Sequence, residues 1–120
     1  MSTEENKAIA MRWIDARNAS DLDAALALWT DDRHAWLRER FSAFSAAFPD
    51  IHLAVEDTIA EGDKVVLRFT LTGTHLGVWA GIPATGKTVT WAVTDIYTLR
   101  GGKLAALVRA APDLKAQLSA

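Results

Sequence analysis

The sequence predicts an α+β domain in which helices come first and an antiparallel sheet follows. Residues 1–48 place apolar side chains at helical spacing, with polar breaks near 17–20 and 30–32. Beyond Pro49, long β-branched and aromatic runs alternate with period two, and glycine-containing turns separate them. No repeat, linker or low-complexity tract interrupts the 120 residues, so 1–120 is read as a single domain.

Ser2, with Glu5 three residues on, has the form of a capping box, and Ile9, Trp13 and Ala16 follow at helical spacing. Arg17-Asn18-Ala19-Ser20 is expected to break this helix. Ser20 is then placed to cap a second, with Leu22, Ala25, Leu26 and Trp29 on one face. Asp21 and Asp23 suit the positive end of its dipole. After Thr30-Asp31-Asp32, a third helix carries Leu37, Phe41, Phe44 and Phe48 as one stripe until Pro49 stops it. Each large side chain buried from these faces contributes about 1.5–3 kcal/mol. Core packing is the ordinary reading of such aromatics.

Ile51, Leu53 and Val55 alternate into a first strand, and Glu61-Gly62-Asp63 turns it into a second. Val65, Leu67, Phe69 and Leu71 share one side of that second strand. The third, over 89–99, has large residues at odd positions and mostly threonines at even ones. Arg100-Gly101-Gly102-Lys103 leads into a fourth, Leu104 to Arg109, which Pro112 breaks. Residues 113–118 suit a short helical tail.

A formal charge of −2, with the basic residues scattered, gives no electrostatic reason to expect nucleic acid as a partner. The absence of cysteine excludes a disulfide framework and a thiolate nucleophile. The polar, acidic start is unlike a secretory signal, and no apolar run approaches the roughly 18 residues of a spanning helix. A cytoplasmic protein with no membrane partner is expected. His34, His52 and His75 are too dispersed for a metal site. Gly73, Gly77, Gly81 and Gly86 form no phosphate loop, because no strand–loop–helix follows; they read as turn and bulge positions. No cofactor and no metal are therefore expected. Half the residues are apolar and five are tryptophan, an excess that a lined cavity or a buried dimer face would use.

Asp95 breaks the pattern of the third strand, because alternation turns it inward between Val93 and Tyr97. A carboxylate on an apolar face is costly unless it is paired or hydrogen-bonded. In an apolar cavity it is a candidate acid or base. The competing reading is a structural carboxylate satisfied by Arg109, Tyr97 or a backbone amide. Arg109 can hold a developing oxyanion, or sit solvated at the strand end. Phe69, Trp91 and Tyr97 share the inward parity and are candidate walls of a flat apolar pocket, with Trp13 and Leu107 completing the substrate-binding set. Ordinary core is the alternative for each. His75 is expected to brace its turn.

The string from Gly73 to Lys87, GTHLGVWAGIPATGK, and the strand ending DIYTLRGGKL over 95–104 resemble the SnoaL-like polyketide (ester) cyclases of the NTF2-like superfamily. The leading helices and Phe48-Pro49-Asp50 fit the same pattern. The resemblance implies a cone, with helices packed on a strongly curved antiparallel sheet around a cavity. It also implies cofactor-independent acid/base chemistry, such as an intramolecular aldol cyclisation, on an apolar carbonyl-containing small molecule. Two departures matter. Relatives carry a strand and a long loop between the second and third helices, for which 31–36 leaves no room; the cavity is expected to be open there or completed by a partner. Leu107, Val108 and Arg109 stand where relatives carry histidine, tryptophan and aspartate. The acid/base aspartate of the cyclases aligns with Arg109, and its partner histidine with Asp95. A non-catalytic ligand-binding or dimerisation module, or a remodelled member that has lost its catalytic pair, is the alternative. A homodimer is expected through the outer sheet face, with Arg68, Thr70, Thr72, Thr90, Thr94 and Thr98.

Overall fold

Helices precede an antiparallel sheet in the structure, a computed structural model that describes residues 2–119. Helix α1 (Thr3–Asn18) starts at the Ser2 capping box: Ser2 Oγ accepts the Glu5 N–H, and the Glu5 carboxylate accepts the Ser2 N–H. The helix takes in Arg17 and Asn18, so the expected break narrows to Ala19 and Ser20. The turn behind it needs a residue at positive φ, and Ser20 takes it at 52°. That moves the cap of α2 (Leu22–Leu28) from Ser20 to Asp21, whose Oδ1 accepts the Ala24 N–H at 3.0 Å.

Trp29, expected on the face of α2, lies beyond its end in an extended conformation and is fully buried. It forms a single parallel bridge with Leu104, and the Thr30 N–H donates to the Leu104 carbonyl at 2.9 Å. One bridged residue thus stands where the resemblance implied a whole strand. A 3-10 turn (Asp31–Arg33) leads into α3 (His34–Ala47), which buries Leu37, Phe41 and Phe44 as expected. Phe48 falls one residue past the helix, its N–H still bonded to the Phe44 carbonyl, and it too is fully buried.

The sheet has the order β1 (His52–Glu61), β2 (Lys64–Thr74), β3 (Thr88–Arg100), β4 (Lys103–Ala110), each pair of neighbours antiparallel. Its inward face carries Leu53, Leu67, Phe69, Val93 and Tyr97, all buried. Bulges between Val55 and Asp57 and between Thr98 and Leu99 bend the outer strands. Asn18, at the end of α1, bonds both backbone groups of Leu53 through its side chain, at 2.7 and 3.0 Å, and so docks the helix on edge strand β1. The tail forms α4 (Leu114–Ser119), which buries Leu114 and Leu118. Its Gln117 pairs with the backbone N–H and C=O of Thr90 on β3.

The loop between β2 and β3 has a structural task at the end of α3. Leu76 and Gly77 both donate their N–H to the Ala47 carbonyl, at 2.9 and 3.2 Å, satisfying a helix end that has no partner of its own. Gly77 is required by close approach, since a Cβ there would run into the Ala46 carbonyl oxygen. His75 is buried and accepts the Thr85 N–H at Nδ1, at 3.2 Å, which closes the loop. Asp50 receives the Thr74 N–H and hydroxyl, both at 2.7 Å, and these bonds hold its carboxyl below the usual carboxylate range.

Phe44 joins α3 to the loop and the sheet, with its ring 4.3 Å from that of Trp79 and 6.4 Å from that of Trp91. Phe44→Ala is expected to lower stability by about 3–5 kcal/mol in urea unfolding. A loss below about 1 kcal/mol would show that α3 is held by other contacts.

Candidate active site

A cleft of about 200 Å³ opens between α1, α3 and the inward sheet face. Leu53, Phe69, Leu71 and Leu107 form its sheet side, while Leu37, Phe41 and Phe44 form its α3 side. Trp13 and Tyr97 also line it, and the half-buried Trp36 and Leu107 stand at its open rim with the exposed Arg40. Its charged groups are Arg17, Arg40 and Arg109; no aspartate, glutamate or histidine is among the lining residues.

One polar cluster crosses the wall. Asp95 and Arg109 face each other in the β3–β4 register, and the guanidinium grips the carboxylate with two bonds, Nε to Oδ1 at 2.7 Å and Nη2 to Oδ2 at 2.8 Å. The Tyr97 hydroxyl donates to Asp95 Oδ2 at 2.7 Å. It accepts the Trp13 Nε1–H at 3.0 Å, which ties α1 to the cluster. Burial drives the Tyr97 pKa well above its ordinary value, and the adjacent Asp95 charge adds to this. Burial alone would lower that of Arg109, but the bonds and charge of Asp95 outweigh it and the net direction is upward.

Asp95 points inward, as alternation requires, yet it is fully buried behind Tyr97 and Arg109 and is not part of the cleft wall. Its ligands are two of those named as structural alternatives, Arg109 and Tyr97. Trp91 also stands off the wall: its Nε1–H donates to the Pro112 carbonyl at 2.6 Å, turning the indole toward the α4 connection. Trp13, Phe69, Tyr97, Leu107 and Arg109 do line the cleft.

Arg17 was the residue that sequence reasoning missed. It was read as part of a helix break, yet its place four residues after Trp13 puts it on the same helical face. That spacing was the available signal. In the structure it is 5% exposed and lines the cleft. Its Nη1 donates to the Phe41 carbonyl at 3.1 Å and to Ser45 Oγ at 3.3 Å. Burial, with the nearby Arg109 charge second, lowers its pKa to about 10.

The family model described as SnoaL-like polyketide cyclase matches residues 7–119. Among solved structures, AclR from Streptomyces galilaeus, a proposed hydroxylase, is 27% identical with a TM-score of 0.86, covering 98% of this chain and 82% of that one. A proposed SnoaL-like polyketide cyclase from Jannaschia sp. CCS1 is 23% identical, with a TM-score of 0.86 and coverage of 98% and 92%. IdmH from Streptomyces antibioticus, a proposed polyketide cyclase, is 22% identical, with a TM-score of 0.80 and coverage of 96% and 99%. The last two likenesses show the fold alone. No curated protein matches the chain.

The Tyr97 hydroxyl serves two buried partners at once. Tyr97→Phe leaves the Trp13 N–H without its acceptor and removes one donor from Asp95, and is expected to cost about 1–3 kcal/mol. Equal unfolding midpoints for the variant and the parent would show that this bridge does not hold α1.

Proposed function

The chain belongs to the SnoaL-like polyketide cyclase family, and from that premise we propose that it acts on an apolar, carbonyl-containing, polyketide-like small molecule by acid/base chemistry without a cofactor. The observation that supports this reading is the Asp95–Tyr97–Arg109 cluster, which reaches a largely apolar cleft through Tyr97 and Arg109. Asp95 is the acid/base residue of the proposal and Arg109 the oxyanion partner. Because Asp95 lies behind the wall, Tyr97 relays the proton.

In the proposed reaction the C–H bond α to a carbonyl breaks and its electron pair enters an enolate. The proton passes to the Tyr97 oxygen as the Tyr97 proton crosses its 2.7 Å hydrogen bond to Asp95. The Arg109 guanidinium offsets the charge on the enolate oxygen. The enolate carbon then attacks a second carbonyl of the same molecule, closing a ring through a new C–C bond. The alkoxide so formed takes the proton back from the Asp95–Tyr97 pair, so the protein ends unchanged.

A specific observation favours a second reading, a ligand-binding module without catalysis. Three donors already occupy the Asp95 carboxylate, so it offers little to a substrate while the cluster is intact. Deuterium exchange α to the carbonyl of 2-tetralone, followed by NMR, separates the two. Asp95→Asn is expected to slow enzyme-dependent exchange by about 10²-fold or more while ketone binding persists. Equal exchange by variant and parent, at matched folded fraction, would leave Asp95 structural and favour the binding module.

We also propose a homodimer through the outer sheet face. Besides the threonines, Ile59, Val66, Ile96 and Val108 form a row in register across all four strands of that face. Ile59, Ile96 and Val108 are 61, 40 and 66% exposed. Such a row suits sheet-to-sheet packing. Light scattering at micromolar concentration is expected to give twice the chain mass, and Val108→Lys to halve it. A single-chain mass for the parent removes the dimer.

A further inference from the structure

We propose that the ligand of this cleft is an organic anion, an apolar body carrying a carboxylate, and that Arg17 is the residue that binds the carboxylate. The inference rests on the reading of the cleft as a small-molecule site, and it specifies the charge of the molecule held there.

Arg17 and Arg109 are both largely buried cations, but they are satisfied differently. Arg109 has a carboxylate partner in Asp95, gripped through two bonds. Arg17 forms no ion pair among the described residues; its Nη1 bonds only the neutral Phe41 carbonyl and Ser45 hydroxyl. Its Nη2 is buried with no hydrogen-bond partner at all. The guanidinium carbon lies 4.2 Å from the Phe41 ring centroid and 5.3 Å from that of Phe44, so the fork is held in place by aromatic faces. A buried charge without a counter-ion is costly, and leaving one of its N–H groups unpaired adds to that cost. A planar carboxylate is the group whose geometry matches such a fork.

The field of the cleft has the same sign. Its lining holds Arg17, Arg40 and Arg109 and no acidic side chain. Asp95 balances Arg109, which leaves Arg17 and the rim residue Arg40 uncompensated. Apolar walls from Phe41, Phe69 and Leu71 surround this charge. With burial lowering its pKa only to about 10, Arg17 remains a cation at neutral pH. An apolar acid, held by its ring system against these walls, satisfies both features together. A cavity of about 200 Å³ suits a body of one or two fused rings.

The test compares 2-naphthoate with 2-naphthamide, which has the same shape without the charge, by titration calorimetry on the full chain. The parent protein is expected to bind the carboxylate about ten-fold to a hundred-fold more tightly, the range of a charge-assisted bond. Arg17→Gln is expected to remove the preference by weakening the carboxylate far more than the amide, whereas Arg40→Gln keeps it. A purely structural Arg17 would change stability but not the ratio between the two ligands. Should Arg17→Gln fail to fold, Arg17→Lys retains a charge without the fork and is expected to reduce the preference. Equal affinities in the parent overturn the anion inference and leave the proposed function standing. A preference that survives in Arg17→Gln overturns the assignment to Arg17. Binding of neither compound removes the cleft as an apolar ligand site, and the proposed function with it.

Discussion

A carboxylate buried in the middle of a sheet must be satisfied, and the way Asp95 is satisfied organises much of this protein. Arg109, directly across the β3–β4 ladder, supplies two of its bonds and Tyr97, two residues along β3, supplies the third. Tyr97 in turn receives the indole N–H of Trp13, so the cluster reaches from β4 through β3 to α1. Trp29 packs edge-on against Trp13 at 5.5 Å and against Tyr97 at 6.2 Å, which extends the same knot to the chain after α2. A slip of two residues in the β3–β4 register would keep every side chain on its own face, yet it would part Asp95 from Arg109 and leave two buried charges unpaired. The polar cluster therefore specifies one register where apolar alternation alone would accept others.

At the opposite end of the sheet the constraint is a helix terminus. The last carbonyl of α3, that of Ala47, has no partner within the helix, and the loop after β2 answers it with the N–H groups of both Leu76 and Gly77. The motif that marks the family in the sequence is, in this chain, a cap for α3 and a brace around His75. It fixes the third helix over the sheet and so sets the width of the cleft, without contributing a side chain to its lining.

The cleft combines apolar walls with cations in two electrostatic states. The Asp95–Arg109 pair is nearly neutral as a unit and is held by register. Arg17 is uncompensated and is held by the rings of Phe41 and Phe44. The short passage between α2 and α3 leaves Trp36 and Arg40 at the rim, with Trp29 alone bridging to Leu104 of β4.

The order of helices and strands, the inward parity of Asp95 and Tyr97 and the phenylalanine stripe of α3 were all legible in the sequence, because each follows from the local repeat of a strand or a helix. Local rules also explain the near misses: the cap at Asp21 rather than Ser20, and the ends of α2 and α3 falling just before Trp29 and Phe48, where one backbone rotation decides membership. The resemblance to the SnoaL-like family was legible from the loop motif, and the family-model match places the chain there. Which groups satisfy Asp95, which aromatics reach the cleft and which buried arginine lacks a counter-ion among the described residues were decided by the tertiary structure. Those properties depend on strand register, on the azimuth of α1 and on where Pro112 returns the chain beside Trp91. In the sequence Arg17 is one of 13 basic residues; it becomes an unpaired charge because folding removes it from water without bringing an acid to it.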